Sequence, residues 1–273
     1  MRSIAIMNQK GGVGKTTTAV NVSAALAATG AKVCLIDLDP QAHATLHLGV
    51  EPEAEMESIY DVLVDNLSLA EVRREISENL YLVPSHLDLA AAEFELAGVV
   101  GREMILRDKL RNDDLKFDFI LIDCPPSLGV LTLNALTAVE EVFIPLQPHF
   151  FALHGLSKLL QTIDLVSRRL NNRLMLSGII LCIYDATTRL AAEVSDDVDA
   201  FFQDQAGSEM PWSNAKTFSS KIRKNIRLAE SPSFGKPIFE YAPKSNGAED
   251  YLALAQEILN TPPPHEQAIR PAA

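Results

Sequence analysis

Short runs of apolar, often β-branched residues recur along the chain: "SIAIM" (3–7), "KVCLID" (32–37), "LYLVP" (80–84), "FDFILID" (117–123), "EVFIPL" (141–146) and "LSGIILCIYD" (176–185). They run apolar rather than alternating with polar residues, which suits strands of a parallel sheet covered on both faces. Between them apolar positions adopt a helical period over 15–29, 101–112, 127–138, 153–171, 189–203 and 247–260. Strand and helix in alternation predict right-handed crossovers. The expected fold is therefore α/β: a doubly wound, mostly parallel sheet with helices on both faces. With 273 residues and no repeat or linker, residues 1–260 are expected to form one domain. The proline-rich "TPPPHEQAIRPAA" (261–273) reads as a disordered tail.

Composition removes several classes. Apolar residues make up 47% and charged residues 22%, an ordinary globular balance. Cys34, Cys124 and Cys182 sit in apolar runs with no CxxC pair, as buried thiols of a reduced, cytoplasmic protein would. "MRSIAIMNQ" has too short an apolar run for a signal peptide. No uncharged apolar stretch reaches the roughly 18 residues of a membrane span; the longest candidate is broken by Glu140 and Glu141.

The first strand leads into "NQKGGVGKTT" (8–17). A phosphate-binding loop wants Gly, four residues, then Gly-Lys-Ser/Thr, but Gln9 stands where the first Gly belongs. A second lysine, Lys10, and the pair Gly11-Gly12 replace it. A glycine loop opening a helix aims backbone N–H groups and the positive end of the helix dipole at a polyphosphate. Lys15 would reach the β- and γ-phosphates, and the Thr16 hydroxyl would ligate Mg²⁺.

Two further strands end in acids. "FDFILIDCPP" closes on Asp123, in the position of a Walker-B carboxylate beside the metal. "LIDLDPQ" closes on Asp37, with Asp39 in the loop beyond, at the carboxyl edge where ligands bind. Asp39 is placed to orient or deprotonate an attacking water; its competing role is a helix N-cap for "QAHATLHLG".

Taken together, "KGGVGKTT", "DLDPQAHAT", "DCPPSLG", "YDATTRLAAEV" and "IRLAESPSFGKPI" resemble the ParA/Soj family of partitioning ATPases, over residues 1 to about 260. The first block is the deviant Walker A of a superfamily that includes MinD and the nitrogenase iron protein. The resemblance implies ATP and Mg²⁺ as cofactors and an ATP-state homodimer. It also implies non-specific binding to double-stranded DNA, and release when a ParB-type activator stimulates a slow hydrolysis. By position, Lys10 is the signature lysine, and Gly11, Gly12, Val13, Gly14, Lys15, Thr16 and Thr17 belong to the ATP loop. Thr16 and Asp39 lie toward the metal, and Asp123 acts on it through water. The catalytic set is Lys10, Lys15 and Asp39. Lys10 would cross the dimer to the other subunit's ATP; the alternative is that it assists Lys15 in its own subunit.

The chain carries a net −12, against a polyanion partner. Residues 216–236, however, hold Lys216, Lys221, Arg223, Lys224, Arg227 and Lys236 against Glu230 alone, six minus one or +5. A basic island on an acidic body fits phosphates. The expected DNA contacts are Arg189, Lys221, Arg223, Lys224 and Arg227, with Arg189 supported by its place in the "TTRL" block. A solvated charged face is the competing reading.

The sequence also departs from the family. Pro-Arg-Asn is usual where Arg223-Lys224-Asn225 stand, in a segment that walls the adenine pocket, so Asn225 alone is carried over as a base contact. Relatives often carry Glu near His149 and His154, which receive no chemistry here. A membrane positioner of the MinD kind would need a C-terminal amphipathic basic helix, and the chain ends in "PPPHEQAIRPAA". A cluster-bridging reductase would need suitably paired cysteines. A ParA-like ATPase that positions a protein cargo on the nucleoid remains the alternative. The expected location is cytoplasmic, on the nucleoid.

Overall fold

The structure, a computed structural model, describes residues 1–53, 55–149 and 152–263. Residues 264–273 of the expected tail and the side chain of His154 lie outside the described residues. The strands are β1 (Arg2–Ile6), β2 (Val33–Asp37), β3 (Arg74–Ser77), β4 (Leu80–Val83), β5 (Phe119–Asp123), β6 (Glu141–Leu146), β7 (Met175–Tyr184), β8 (Lys216–Thr217) and β9 (Ile222–Arg223). Among the described residues they form one nine-stranded sheet in the order β3-β4-β2-β5-β1-β6-β7-β8, with β9 also on β7. Every pairing is parallel except β3 with β4. That antiparallel edge was not expected, because "REIS" lacks an apolar run.

Helices α1 (Lys15–Ala28), α2 (His43–His47), α3 (Ile59–Leu63), α4 (Leu69–Val72), α5 (Leu89–Glu95) and α6 (Ile105–Arg111) belong to the first half. Helices α7 (Val130–Ala138), α8 (Ala152–Arg169), α9 (Arg189–Asp204), α10 (Ile226–Glu230), α11 (Ile238–Tyr241) and α12 (Asn246–Asn260) belong to the second. The helical period at 101–112 resolves into a 3-10 turn, Arg102–Met104, followed by α6.

Alternate strand residues feed two cores. Ile4 and Ile6 of β1 and Leu121 of β5 pack with Val20 and Leu26 of α1 and with Tyr251 and Leu254 of α12. Ala5, Ile120 and Ile122 face the other way, toward Leu136 of α7, Ile163 of α8 and Val198 of α9. Both faces of the central strands are therefore apolar, which is why their sequences run rather than alternate. Truncating one of these side chains, such as Leu121→Ala, costs about 2–5 kcal/mol.

The sheet order puts β1 between β5 and β6, so the loop after β1 opens at the carboxyl edge, flanked by the ends of β5 and β6, with the end of β2 one strand further on. Asp123 is the register partner of Ile6 on one side and of Asp37 on the other. Three loops thus converge on one crevice.

Candidate nucleotide site

Asn8 sets the start of the loop after β1. Its Nδ2 donates to the Pro145 carbonyl at 2.8 Å, and its Oδ1 accepts from the Lys10 N–H at 3.0 Å. Gly12 and Gly14 take left-handed backbone, φ 72° and 92°, where a side chain would be strained. A Cβ built on Gly11 or Gly12 would meet nothing within 4 Å, so both border an open cradle. Val13 is buried and contributes its backbone.

The two lysines differ in setting. Lys15 is 8% exposed, and its Nζ donates to the Lys10 carbonyl at 3.2 Å. Lys10 is exposed at the rim, its ammonium against Nε2 of His149. An ammonium can only donate, so this imidazole is neutral with Nε2 accepting. Burial, then the Lys10 charge, holds the His149 pKa below its ordinary value.

Asp123 is fully buried, and among the described residues neither of its carboxylate oxygens has a hydrogen-bond partner. Burial pushes its pKa well up, as does the Asp37 charge, while the nearby Thr16 hydroxyl and Lys15 act against them. An orphaned buried carboxylate is costly unless a cation or an ordered water meets it. With the Thr16 hydroxyl beside it and an open cradle above, the donor set fits Mg²⁺ shared with phosphate oxygens.

Asp37 serves the neighbouring loop. It accepts from Thr45 N–H at 2.8 Å, Thr45 Oγ1 at 2.7 Å and Asp39 N–H at 3.2 Å. Burial nevertheless pushes its pKa up to about 6. Asp39 accepts from the Gln41 N–H at 3.0 Å, and its carbonyl accepts from Ser85 Oγ at 2.7 Å. It does not cap α2, whose N-cap is Ala42. The competing N-cap role is thereby removed.

One cavity of about 940 Å³ is lined by Gly11, Gly12, Gly14 to Thr17 and Asp39. The same cavity is also lined by Ile183, Ile222, Arg223, Lys224, Asn225 and Ile226. That size suits a nucleotide. Asn225 caps α10, its Oδ1 accepting from the Arg227 N–H at 2.9 Å.

The expected DNA residues divide into three settings. Arg189 is 91% exposed at the side chain and pairs with Glu193 at 2.7 Å, and Arg227 pairs with Glu230 at 2.8 Å. Lys221 lies 4.5 Å over the Tyr184 ring. Arg223 is held at several points: Nε and Nη2 on Asp250, Nη2 also on Glu249, and its N–H on Asp250. Asp250 is 8% exposed, so the partly exposed Arg223 guanidinium is pinned by a buried acid, unlike the other two.

Sequence reading missed three things. One is the contact of His149 with Lys10. Another is the wall formed by Cys182 and Ile183. The third is a junction behind the site: His47 Nε2 lies 3.2 Å from Ser231 Oγ, both buried, and Gly49 abuts Gly235. A Cβ on Gly235 would stand 2.7 Å from Gly49 Cα, and both glycines are left-handed, at φ 62° and 75°. Left-handed glycines are the one signal that "HLGV" and "SFGK" offered.

Phosphate chemistry of this kind on a central parallel strand makes the protein a P-loop nucleoside-triphosphatase, and Lys10 sets it apart from the general pattern. A family model described as an AAA domain matches residues 1–176. The chain is 46% identical to the sporulation initiation inhibitor protein Soj of Bacillus subtilis, over 93% of this chain and 97% of that one. It is 44% identical to the chromosome partitioning protein ParA of Myxococcus xanthus, over 96% and 89%. A solved structure from Mycobacterium smegmatis is described as cobyrinic acid a,c-diamide synthase with bound ATP analog and magnesium. It superposes with a TM-score of 0.81 at 35% identity, over 99% of this chain and 97% of that one. The chain belongs to the ParA/Soj family of chromosome-partitioning ATPases.

Proposed function

We propose that this chain is a Mg-ATP-dependent ATPase that closes a homodimer around nucleotide and holds double-stranded DNA without sequence preference. In this reading it works on the nucleoid in chromosome or plasmid partitioning. A ParB-type partner stimulates an otherwise slow hydrolysis of ATP to ADP and phosphate. The observation that carries the reading is the split between Lys15, buried inside the loop, and Lys10, exposed at its rim. A buried lysine serves the phosphates of its own loop; a rim lysine is placed to serve a second copy.

Bound Mg-ATP would supply the reacting γ-phosphoryl group and a divalent charge beside it. The loop N–H groups from Gly11 to Thr17 cradle the phosphates, with Lys15 neutralising them from below. Thr16 and Asp39 would hold the metal, and Asp123 would act on it through water, the metal supplying charge to neutralise the phosphates. Asp39 also positions the attacking water, and Lys10 steadies charge that develops on the phosphates of the opposite subunit. Arg189, Lys221, Lys224 and Arg227 supply the DNA face, whereas the pairing of Arg223 with the buried Asp250 favours a scaffold role. Among the described residues no helix is long and apolar enough to cross a membrane.

Two variants test the cycle by light scattering with Mg-ATP. Asp39→Ala should bind ATP, dimerise and retain DNA, while its turnover falls on the order of a hundredfold. Lys10→Ala should bind ATP as a monomer and lose DNA retention. Normal dimerisation of Lys10→Ala, or full turnover by Asp39→Ala, would overturn these roles.

A further inference from the structure

Ile183 has a backbone that isoleucine should avoid. Its φ is 53°, in the left-handed region where Cβ crowds the carbonyl and where a β-branched residue is a true outlier. Three other non-glycine residues among those described share a positive φ: Ala42, Asn66 and Asn79. Two of these are asparagine, which tolerates the conformation, and the third has no branch at Cβ. Glycine would fit position 183 without strain, so an isoleucine there calls for a reason.

The strand pairing shows what the distortion does. Cys182 pairs with Ile222 and Tyr184 with Arg223, so Ile183 is an extra residue, a bulge in β7 against β9. Bulges re-aim a side chain beside a site. On one flank Cys182 packs on the phosphate loop, its Cβ standing 3.5 Å from where a Cβ on Gly14 would be. On the other, the Tyr184 carbonyl accepts from the Lys224 N–H at 3.1 Å, fixing the 222–226 wall. Ile183 stands between them and lines the same cavity as the phosphate loop, with Ile222, Asn225 and Ile226. Asn225 spends its Oδ1 on the α10 cap, so its amide donor is the end left for a ring nitrogen.

We propose that Ile183 is a specificity-determining residue for the nucleobase, its left-handed bulge turning an apolar side chain against the flat face of a purine ring. This rests on reading the cavity as the ATP site, and it assigns the base end to a strand residue outside the 223–225 segment. The strain is then retained because the residue that would relieve it cannot grip the base.

The consequence is a pair of effects with opposite sign. Ile183→Gly and Ile183→Asn both suit left-handed backbone and both remove the apolar grip. In each, the nucleotide-free protein should melt at or above the wild-type temperature, while ATP binds about tenfold more weakly. Magnesium tripolyphosphate, which has no base, should bind both variants as it binds wild type, by calorimetry. Unchanged ATP affinity in both variants would overturn the proposal. So would equal losses for ATP and tripolyphosphate, which would mean that the bulge only props the phosphate loop through Cys182. Ile183→Leu, apolar but without the branch, should keep most of the ATP affinity; a loss as large as that of Ile183→Gly would also count against it. The ATP-site reading fails differently, by Lys15→Ala leaving both ligands bound as before.

Discussion

The phosphate loop and the basic segment at 216–236 both look, in sequence, like places for anions, and the fold treats them in opposite ways. In the loop the binding groups are backbone N–H groups beside bare glycines, with Lys15 resting on a carbonyl that a phosphate can replace. In the basic segment guanidinium groups have already met acids. Arg223 is held by Asp250 and Glu249, Arg227 by Glu230, and, beyond the segment, Arg189 by Glu193. Three of these pairs, Arg223–Glu249, Arg227–Glu230 and Arg189–Glu193, are solvent-exposed, worth under about 1 kcal/mol, and are readily exchanged for a phosphate. The pair with the buried Asp250 is not. A count of charges along a segment therefore overstates what Arg223 can offer, because its neutralising acids, Glu249 and Asp250, arrive from α12.

The contrast can be broken at several points. Lys15→Ala should have the largest effect, weakening Mg-ATP binding by about a hundredfold or more as the buried phosphate cation is lost. Unchanged affinity in calorimetry would remove the loop assignment altogether. Arg223→Ala should act on stability, lowering it by about 1 kcal/mol in urea unfolding, because Asp250 loses its guanidinium partner and keeps only the N–H of residue 223. If stability holds and DNA affinity falls instead, Arg223 belongs with the surface cations after all.

A third measurement addresses the joint between the two regions. Burial pushes the His47 pKa down to about 4 from an ordinary 6.5. The unfolded chain then takes up a proton that the folded chain refuses, so stability is complete above pH 6.5 and is lost as pH falls toward 4. Between pH 6.5 and 5 the loss from this group should reach about 2 kcal/mol, and His47→Gln should flatten that part of the stability profile. The smallest effects belong to Arg189→Glu and Lys224→Glu. Each should leave stability within about 0.5 kcal/mol and reduce the salt slope of DNA binding by roughly one unit, equally for unrelated duplexes.

What was legible in the sequence is what is local. β6 spans the expected 141–146, and "GGVGKTT" announces its loop because glycine, lysine and helix start sit within a few residues. The two-residue strands β8 and β9 carry too short a pattern to read, and they exist because β7 offers an edge. The partner of Arg223 lies 27 positions on, brought close by the packing of α12 beside β9. The contact of Lys10 with His149 spans 139 positions, across the adjacent ends of β1 and β6. Nothing in "LCIYD" marks Ile183 as left-handed, because that conformation is imposed by a bulge, and a bulge is a property of two strands rather than one.

The contact of Gly49 with Gly235 acts as a rivet. Here the chain leaving the Asp39 loop through α2 meets the chain leaving the basic segment, backbone against backbone, with no side chain between them to yield. Side chains can slide past one another by changing rotamer, whereas two main chains in contact share whatever displacement either one makes. A shift that phosphate or metal imposes on the Asp39 loop would not be absorbed at this point.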